Sequence, residues 1–349
     1  MKKIIKYSKI GQFREVVGAI NRIVHYVGND ENGDPIYDSS IKKPVLTFTG
    51  TVKAHGTNGG VCFNDQSGLW PQSRRDILLE EDENGKIKDN TGFGFFIKSN
   101  EDSFIEICKQ VAKDNDIDTS IYTISVYGEW AGKGIQKGVA LNEIDKSFFI
   151  FAAKISKTGD DEFNSYYVDI DNYRNIEKRI FNIRDYGVYS IDIDFNMPQL
   201  VQNKLSDMTI AVEEECPIGK AFGISGVGEG IVWQCTYKGS THKFKVKGEK
   251  YSVSKVKTLA PVDVEKLNSI KEFVEYAVTE NRFKQAMQET FGDDEVDIKQ
   301  LGKLLSWMVK DVMSEEMDTM VKNNLEPKDV NQYISGKARE MFFEEYNKF

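Results

Sequence analysis

The segment 51–60, "TVKAHGTNGG", places a single lysine at the end of a β-type run and follows it with small residues. A free lysine amine has a pKa near 10.4, so only about one in a thousand is uncharged at neutral pH. To attack a phosphorus or carbonyl centre the amine of Lys53 must lose its proton, which neighbouring cations and partial desolvation favour. Gly56, Gly59 and Gly60 are expected to adopt turn conformations that leave Lys53 accessible, although a common hairpin turn would have the same composition.

A nucleophilic lysine predicts further cations near it, and the stretch "KFKVK" at 243–247 supplies them. A strand would place Lys243, Lys245 and Lys247 on one face, roughly 7 Å apart, with the apolar residues between them facing the core. Residues 243–257 carry six lysines and one glutamate, a local charge of +5 in a chain whose net charge is −9. The pattern predicts an anion site. The alternative is a solvated edge strand whose lysines deter aggregation.

Two glutamates lie among glycines next to apolar, strand-like runs. They are Glu129 in "YGEWAGKGIQKG" and Glu229 in "GVGEGIVW". Carboxylate oxygens suit Mg²⁺, which is usually bound through one or two carboxylates together with substrate phosphates. Alternatively, each glutamate could simply accept hydrogen bonds within a turn. The stretch "GEWAGKG" is not a Walker phosphate loop, because the spacing of its glycines is too short and a glycine follows the lysine.

The elements that must position these residues change character along the chain. Up to about residue 255, runs such as "PVLTFTGTVK", "TISVYGEW", "FFIFAAKI" and "HKFKVKG" indicate strands, several of them with the period of two of half-buried strands. Helices are expected at "SFIEICKQVAKDN" and near 172–182. After Pro261 the apolar spacing is helical, with capping aspartates. The sequence therefore predicts an α+β domain over 1–255 and a small all-α domain over 256–349.

Composition limits the class of protein. The chain has 349 residues, of which 40% are hydrophobic and 29% charged, as in soluble globular proteins. A net charge of −9 argues against non-specific coating of nucleic acid. Four scattered cysteines and three histidines make a poor zinc set. No apolar run reaches the ~20 residues of a membrane span, so we expect a cytoplasmic protein that does not bind membranes. We also expect a monomer.

Six motifs in order resemble those of the covalent nucleotidyltransferases, and within them the phage RNA ligase 2 family, which seals nicks in duplex RNA. Lys53, His55, Gly56 and Asn58 match the lysine motif K-x-H-G-x-N, and "SRRD" carries Arg75. The remaining motifs are "YGEWAGKGIQKG" with Glu129, "SFFIFAAKI" with Phe151, "GEGIVW" with Glu229, and "FKVKGEKYS" with Lys245 and Lys247. The stretches "YAVTENRF" and "LGKLLSWMVKDVM" resemble the family's helical C-terminal domain. The acidic segment around 28–40 and the segment 156–215 depart from the pattern.

The resemblance implies a fold and an activity. The fold would be an adenylation domain of antiparallel sheets with flanking helices, plus the helical domain. The activity would be ATP-dependent joining of 3′-OH and 5′-phosphate RNA ends through a lysyl-adenylate and a 5′-adenylylated RNA. The implied cofactors are ATP and Mg²⁺ or Mn²⁺, and the implied partners are nicked duplex RNA and RNA/DNA hybrids. If the chain is encoded by a phage, its location would be the host cytoplasm.

The resemblance also implies roles for the matching residues. Lys53 would be the nucleophile, Phe151 would stack on adenine, Glu129 would hold the ribose hydroxyls, and Glu229 would bind the metal. The nucleotide-binding set is Lys53, His55, Gly56, Asn58, Arg75, Glu129, Phe151, Glu229, Lys245 and Lys247, and of these Lys53, Arg75, Lys245 and Lys247 would act in catalysis. Lys245 would also depress the pKa of Lys53. The role of His55 stays open.

Two alternatives remain. One is a DNA ligase of the same superfamily, which His55 disfavours because those enzymes usually carry aspartate there. The helical spacing after Pro261 also disfavours it, since DNA ligases have an oligonucleotide-binding β-barrel in that place. The other is a catalytically silent protein that binds nucleic-acid ends.

Overall fold

The computed structural model describes residues 2–81, 87–159, 165–248, 270–292 and 296–346. Contacts within the chain divide it into two compact units, Met1–Asn196 with Met208–Lys245, and Met197–Asp207 with Val246–Phe349. The predicted boundary between residues 255 and 256 lies outside the described residues, as do Lys250, Lys255 and Lys257 of the predicted basic cluster.

The strands pair into two sheets and a ribbon. In chain order they are β1 (Tyr26–Asn29), β2 (Pro35–Tyr37), β3 (Val45–Val52), β4 (Thr57–Asn64), β5 (Gly68–Gln72), β6 (Tyr122–Ala131), β7 (Ser147–Lys157), β8 (Ser165–Val168), β9 (Ile180–Asn182), β10 (Val188–Asp194), β11 (Gly230–Tyr237) and β12 (Ser240–Lys247). One sheet has the order β5-β4-β6-β7-β8, with β9 paired in parallel to β7. The other has the order β10-β3-β11-β12, and β1 and β2 form an exposed ribbon.

Helices flank these sheets. They are α1 (Phe13–His25), α2 (Phe93–Ser99), α3 (Glu101–Asp114), α4 (Gln202–Glu214) and α5 (Pro217–Ala221). Helix α1 begins with a capping box between Gln12 and Glu15 and packs Phe13 against Phe244 of β12, with ring centroids 5.1 Å apart. Mixed helix and sheet with largely antiparallel pairing is the fold class that the sequence predicts.

The strand β6 is buried along almost its whole length, rather than on the one face that its period of two predicts. On one face it contacts α3, whose residues Phe104, Ile107 and Val111 are buried. On the other, the Tyr127 hydroxyl donates a hydrogen bond of 2.7 Å to the carbonyl of Ile5, in the segment before α1. Both faces are covered, so polar residues of the pattern such as Thr123 and Ser125 are buried as well.

One predicted helix is correct and one is wrong. The stretch "SFIEICKQVAKDN" forms most of α3. The stretch near 172–182 instead forms a short 3₁₀ turn, Ile176–Lys178, and then β9. The turn ends at Arg179 with φ of +59°, and Phe181 stacks on Phe149 of β7 with ring centroids 5.6 Å apart. The left-handed residue stops the helix, and residues 180–182 pair with β7 instead.

The described residues from Ile270 onward are helical. They form α6 (Ile270–Ala277), α7 (Glu280–Phe291), α8 (Leu301–Lys322) and α9 (Pro327–Tyr346). Thr279 caps α7 by accepting a hydrogen bond from the backbone of Arg282, and Asp297 caps the turn before α8 in the same way. The buried core of these helices includes Phe273, Phe283, Leu304, Met308, Val312, Ile334, Ala338 and Phe342.

Candidate active site

Lys53 lies at the end of β3 and is held there by the backbone of the neighbouring strand. Val52 pairs with Ile231 of β11, and the Lys53 amide donates to the carbonyl of Gly230 at 2.8 Å. This pairing brings Lys53 beside Glu229, which is 176 positions away in sequence. The ammonium of Lys53 lies 2.7 Å from Oε2 of Glu229, with the lysine side chain 21% and the glutamate side chain 2% exposed.

His55 shares the same carboxylate. Its Nδ1 lies 3.0 Å from Oε2 of Glu229. One carboxylate oxygen is thus bracketed by a lysine and an imidazole that are two residues apart. The histidine, whose role the sequence leaves open, fixes the position of Glu229.

The second glutamate joins the same cluster through the strand β4. Asn58 of β4 is directly opposite Glu129 of β6 in the register of the sheet. Oε1 of Glu129 accepts a hydrogen bond of 3.0 Å from the amide of Gly56. From the other side, Gln136 Nε2 donates to the carbonyl of Gly56 at 3.3 Å. The turn after Lys53 is therefore tied at both its amide and its carbonyl.

The charges around Lys53 shift its pKa in the direction opposite to that expected. Burial lowers the pKa of Lys53, but the carboxylates of Glu229 and Glu129 outweigh it, so the pKa lies above its usual value. The guanidinium of Arg74 opposes this rise. Burial raises the pKa of Glu129, with the charge of Glu229 adding to the rise and Lys53 opposing it. The prediction of a lysine discharged by neighbouring cations is wrong for this state, because the amine is ion-paired.

The glycines after Lys53 are required by close packing and not by the turn conformation that the sequence suggests. Gly56, Gly59 and Gly60 are absent from the positive-φ glycines of the described residues, and Gly59 and Gly60 belong to strand β4. A Cβ on Gly56 would overlap the carbonyl oxygen of Trp130, and one on Gly59 would lie 2.6 Å from the ring of Phe93. The small residues let β4 and the turn before it approach β6 and α2.

Phe151 occupies an irregularity in β7. Across the pair of strands, Tyr127 is opposite Ala152 and Gly128 is opposite Ile150, so Phe151 has no partner on β6. Such a bulge re-aims a side chain. The half-buried ring of Phe151 contacts Tyr7, with centroids 5.0 Å apart and planes at 59°.

The lysines of β12 are more buried than a solvated edge strand would allow. Phe244 and Val246 are 0% and 1% exposed, as predicted for the core side. Lys243 is only 5% exposed, while Lys245 and Lys247 are half-buried. The edge of β12 is covered because the amide of Gly11 donates to the carbonyl of Lys243 at 3.1 Å.

Arg75 lies in an exposed bend after β5, where its amide donates to Ser73 Oγ at 3.2 Å. The preceding residue, Arg74, is the one whose charge acts on Lys53. Arg74 was not among the predicted site residues, although it is part of the same "SRRD" motif. Gln136 was not among them either, although it belongs to the "GIQKG" part of the Glu129 motif.

The donor set around Lys53 fits a magnesium ion better than a metal held by protein ligands alone. Within the described ranges, no group of three or more His, Cys, Asp or Glu side chains converges as a metal site would require. Glu229 and Glu129 offer carboxylate oxygens beside a lysine, which matches Mg²⁺ bound through one or two carboxylates and completed by substrate phosphates.

The chain matches no protein-family model and no curated protein. Among solved structures it is similar to a Naegleria gruberi RNA ligase with PPi, at 14% identity and a TM-score of 0.39, over 71% of this chain and 57% of that chain. A mutant of the same ligase with ATP and Mn is similar at 14% identity and a TM-score of 0.41, over 71% of this chain and 56% of that chain. The chain thus spans little more than half the length of these ligases. At this identity and TM-score the likeness assigns no function.

No helix in the described part of the chain is long and apolar enough to cross a membrane.

Proposed function

We propose that the chain is an ATP-dependent RNA ligase of the phage RNA ligase 2 type, which joins 3′-OH and 5′-phosphate ends at nicks in duplex RNA. One observation carries the proposal. A largely buried lysine amine lies 2.7 Å from Glu229, in a cluster that also contains His55 and Glu129. These residues come from three of the motifs that resemble the family. The helices after Ile270 would correspond to its C-terminal domain.

The proposed reaction consists of three phosphoryl transfers. The unprotonated amine of Lys53 attacks the α-phosphorus of ATP, so that an N–P bond forms and the bond to pyrophosphate breaks. The AMP then passes to an RNA 5′-phosphate, which forms a phosphoanhydride and frees the lysine. Finally the 3′-hydroxyl attacks the activated phosphate, which forms the phosphodiester and releases AMP. Such transfers depend mainly on positioning and on neutralising charge.

The base and the sugar of ATP would lie against β6 and β7. Phe151, re-aimed by its bulge, would stack on the adenine. Glu129 would accept hydrogen bonds from the ribose hydroxyls, since one of its oxygens is already fixed by Gly56. Asn58, opposite Glu129, would contact the AMP phosphate or the RNA end.

The phosphates would be held by cations. Lys245 and Lys247 on β12 would contact the α-phosphate and its neighbour. Arg75 would bind the AMP phosphate or the RNA 5′-phosphate, for which the planar guanidinium is suited. Arg74, whose charge already acts on Lys53, would assist in lowering the pKa of the amine.

Glu229, held by His55, would bind the divalent ion. The ion would supply positive charge that neutralises the carboxylate and screens the phosphates. Burial and Arg74 lower the pKa of Lys53, whereas the negative charges of Glu229 and, to a smaller extent, Glu129 raise it. Neutralising Glu229 therefore favours the reactive amine.

The first test is covalent labelling. The protein is incubated with ATP labelled at the α-phosphate and with Mg²⁺, then separated on a denaturing gel. We expect label on the wild type and none on Lys53→Ala, while the exposed Lys238→Ala serves as the matched control and keeps its label. No label on the wild type, at any pH from 6 to 9, would remove the proposal and favour a silent end-binding protein.

A second test defines the substrate. A panel of nicked duplexes varies RNA and DNA on each side of the break, and the sealed product is measured. The proposal expects sealing where the 3′-OH strand is RNA. Efficient sealing of nicks that are DNA on both sides would instead support the DNA-ligase alternative.

A further inference from the structure

The N-terminal strap, residues 3–11, forms neither helix nor strand but is anchored along its whole length. At its beginning, Trp70 Nε1 donates to the carbonyl of Lys3 at 3.2 Å. The backbone of Ile5 is held on both sides by the Gln72 amide group, at 3.0 and 2.6 Å. At its end, the amide of Lys245 donates to the carbonyl of Gly11 at 3.1 Å. The strap therefore connects the sheet of β4–β8 to strand β12.

The middle of the strap encloses a lysine. The ammonium of Lys243 lies 4.1 Å from the ring centroid of Tyr7 and 3.4 Å from that of Tyr167, the geometry of a cation–π contact. It also donates to Ser8 Oγ at 3.3 Å. The Tyr167 hydroxyl donates a hydrogen bond of 2.9 Å to the same Ser8 Oγ. Two rings and one hydroxyl thus form a cage around the ammonium.

Stability does not explain this lysine. Lys243 is 5% exposed, and within the described part of the chain its ammonium contacts rings and a hydroxyl rather than a carboxylate. Burying a cation without a counter-ion costs free energy that an apolar side chain of similar length would avoid. The charge of Lys154 adds to that cost. Because Lys243 costs the fold free energy and is enclosed by its neighbours, we expect it to serve by holding those neighbours in place.

The N-terminal strap contacts residues at both ends of the proposed nucleotide site. Tyr7, which covers Lys243, contacts the Phe151 ring at 5.0 Å. Four residues further along the strap, Gly11 holds the backbone of Lys245. Phe151 and Lys245 are on different sheets, so their separation depends on what links those sheets.

We propose that the N-terminal strap, closed around Lys243 by Tyr7 and Tyr167, fixes the spacing between Phe151 and Lys245 and so sets the affinity of the site for ATP. Lys243 and Tyr7 are positioning residues in this proposal, which rests on the proposed function. Phe151 would bind the base and Lys245 the α-phosphate. Without the cage, Phe151 and Lys245 would both still be present, but the spacing between them would no longer match the distance from the base to the α-phosphate of one ATP molecule.

The test measures lysyl-adenylate formation against ATP concentration for four variants. Because each protein molecule is adenylylated once, the rate is measured in a single turnover, and KM denotes the ATP concentration that gives half the maximal rate. Tyr7→Leu and Lys243→Met open the cage, and we expect this KM to rise about tenfold with the maximal rate within threefold of the wild type. Tyr7→Phe keeps the ring and should keep the wild-type KM. Lys238→Met removes an exposed lysine that also lies over a tyrosine ring, at 5.6 Å from Tyr237, and should change nothing.

The outcomes separate the two proposals. If the wild type forms no lysyl-adenylate, the proposed function fails. If the wild type is labelled and both cage variants, shown to be folded by circular dichroism, keep the wild-type KM, the strap proposal fails. An equal rise of KM in Tyr7→Phe would also overturn the strap proposal, since this variant keeps the ring that contacts Lys243. If Lys243→Met does not fold, Tyr7→Leu and Tyr7→Phe still decide the question.

Discussion

The ammonium of Lys53 lies 2.7 Å from Oε2 of Glu229, and the same oxygen is 3.0 Å from Nδ1 of His55. A buried glutamate oxygen is thus placed between two basic side chains. Burial lowers the pKa of Lys53, but the carboxylates of Glu229 and Glu129 raise it above its usual value, so the amine is held as an ammonium. In the proposed function, neutralising the charge of Glu229 would lower that pKa and favour the reactive amine.

Removing the charge of Glu229 should make Lys53 more reactive toward a simple acylating reagent, in the absence of any nucleotide. In Glu229→Gln the burial that lowers the pKa of Lys53 remains, while the largest influence that raises it is lost. The unprotonated fraction of the amine grows as its pKa falls, so we expect labelling of Lys53 by an acetylating reagent at pH 8 to be faster than in the wild type. Mass spectrometry gives the rate, with exposed Lys238 as the internal reference. Unchanged labelling would mean that Glu229 does not control the amine.

Gly56 should tolerate no side chain. In Gly56→Ala the added Cβ would overlap the Trp130 carbonyl and lie 2.9 Å from Cβ of Ala131, so the turn carrying His55 must move. We expect a loss of about 1–3 kcal/mol in the free energy of unfolding and weaker lysyl-adenylate formation. The matched control is Gly18→Ala in α1, where the nearest atom would be 3.7 Å away and alanine favours the helix. Equal stability of the two variants, measured by urea unfolding, would contradict this account.

The residues of the candidate site could be singled out from the sequence because short motifs contain them, whereas the distances between them could not be predicted. Lys53, Glu129 and Glu229 could each be singled out from the glycines around them. That Glu229 pairs with Lys53, and so raises its pKa, depends on strand β3 meeting β11 across 176 positions. No local pattern specifies that register. The role of His55 was open for the same reason.

The sequence predicted an element correctly where only one face of that element is buried. Helix α3 was predictable from apolar spacing alone. The alternating pattern of β6 predicted that one face would be exposed, but that face is buried because the N-terminal strap covers it. The strap itself has no periodicity, and its backbone is satisfied by side chains such as Gln72 and Trp70 that are distant in sequence. The cage around Lys243 could therefore not be foreseen.

A buried ion pair between α7 and α8 should be essential to the helices after Ile270. Arg282 is 0% exposed, and its guanidinium contacts Asp311 at 2.9 Å and Glu316 at 3.4 Å. Arg282→Met leaves Glu316, itself 1% exposed, without that cation, which should lower the free energy of unfolding by about 3–5 kcal/mol. The double variant Arg282→Met with Glu316→Leu should recover part of this loss, because the buried carboxylate that lost its cation is then removed as well. A double variant less stable than the single one, by chemical denaturation, would show that Glu316 stabilises the fold through contacts other than Arg282, such as the hydrogen bond that it accepts from the Tyr276 hydroxyl.

Lys243 should make stability depend on pH. Burial and the charge of Lys154 lower the pKa of Lys243 from 10.5 to about 7, whereas the faces of Tyr7 and Tyr167 attract the ammonium, and Ser8 Oγ accepts from it. Below pH 7 the lysine is protonated in both the folded and the unfolded chain, and the folded chain carries the full cost of burying the charge. Between about 7 and 10.5 the unfolded chain binds more protons than the folded one, so the free energy of unfolding rises with pH. Lys243→Met removes this dependence.

The quantity to measure is the free energy of unfolding of Lys243→Met minus that of the wild type, at pH 6.5, 8 and 9.5. We expect Lys243→Met to be the more stable protein at pH 6.5, with an advantage that shrinks by about 1.4 kcal/mol for each unit of pH above 7. Lys238→Met, whose amine is exposed, should show no such trend. A difference that stays constant across the three pH values would mean that Lys243 keeps its proton in the folded chain, held by the two rings and Ser8. In that case the two rings and Ser8 would offset the cost of burying the charge, and Lys243 would not destabilise the fold at neutral pH.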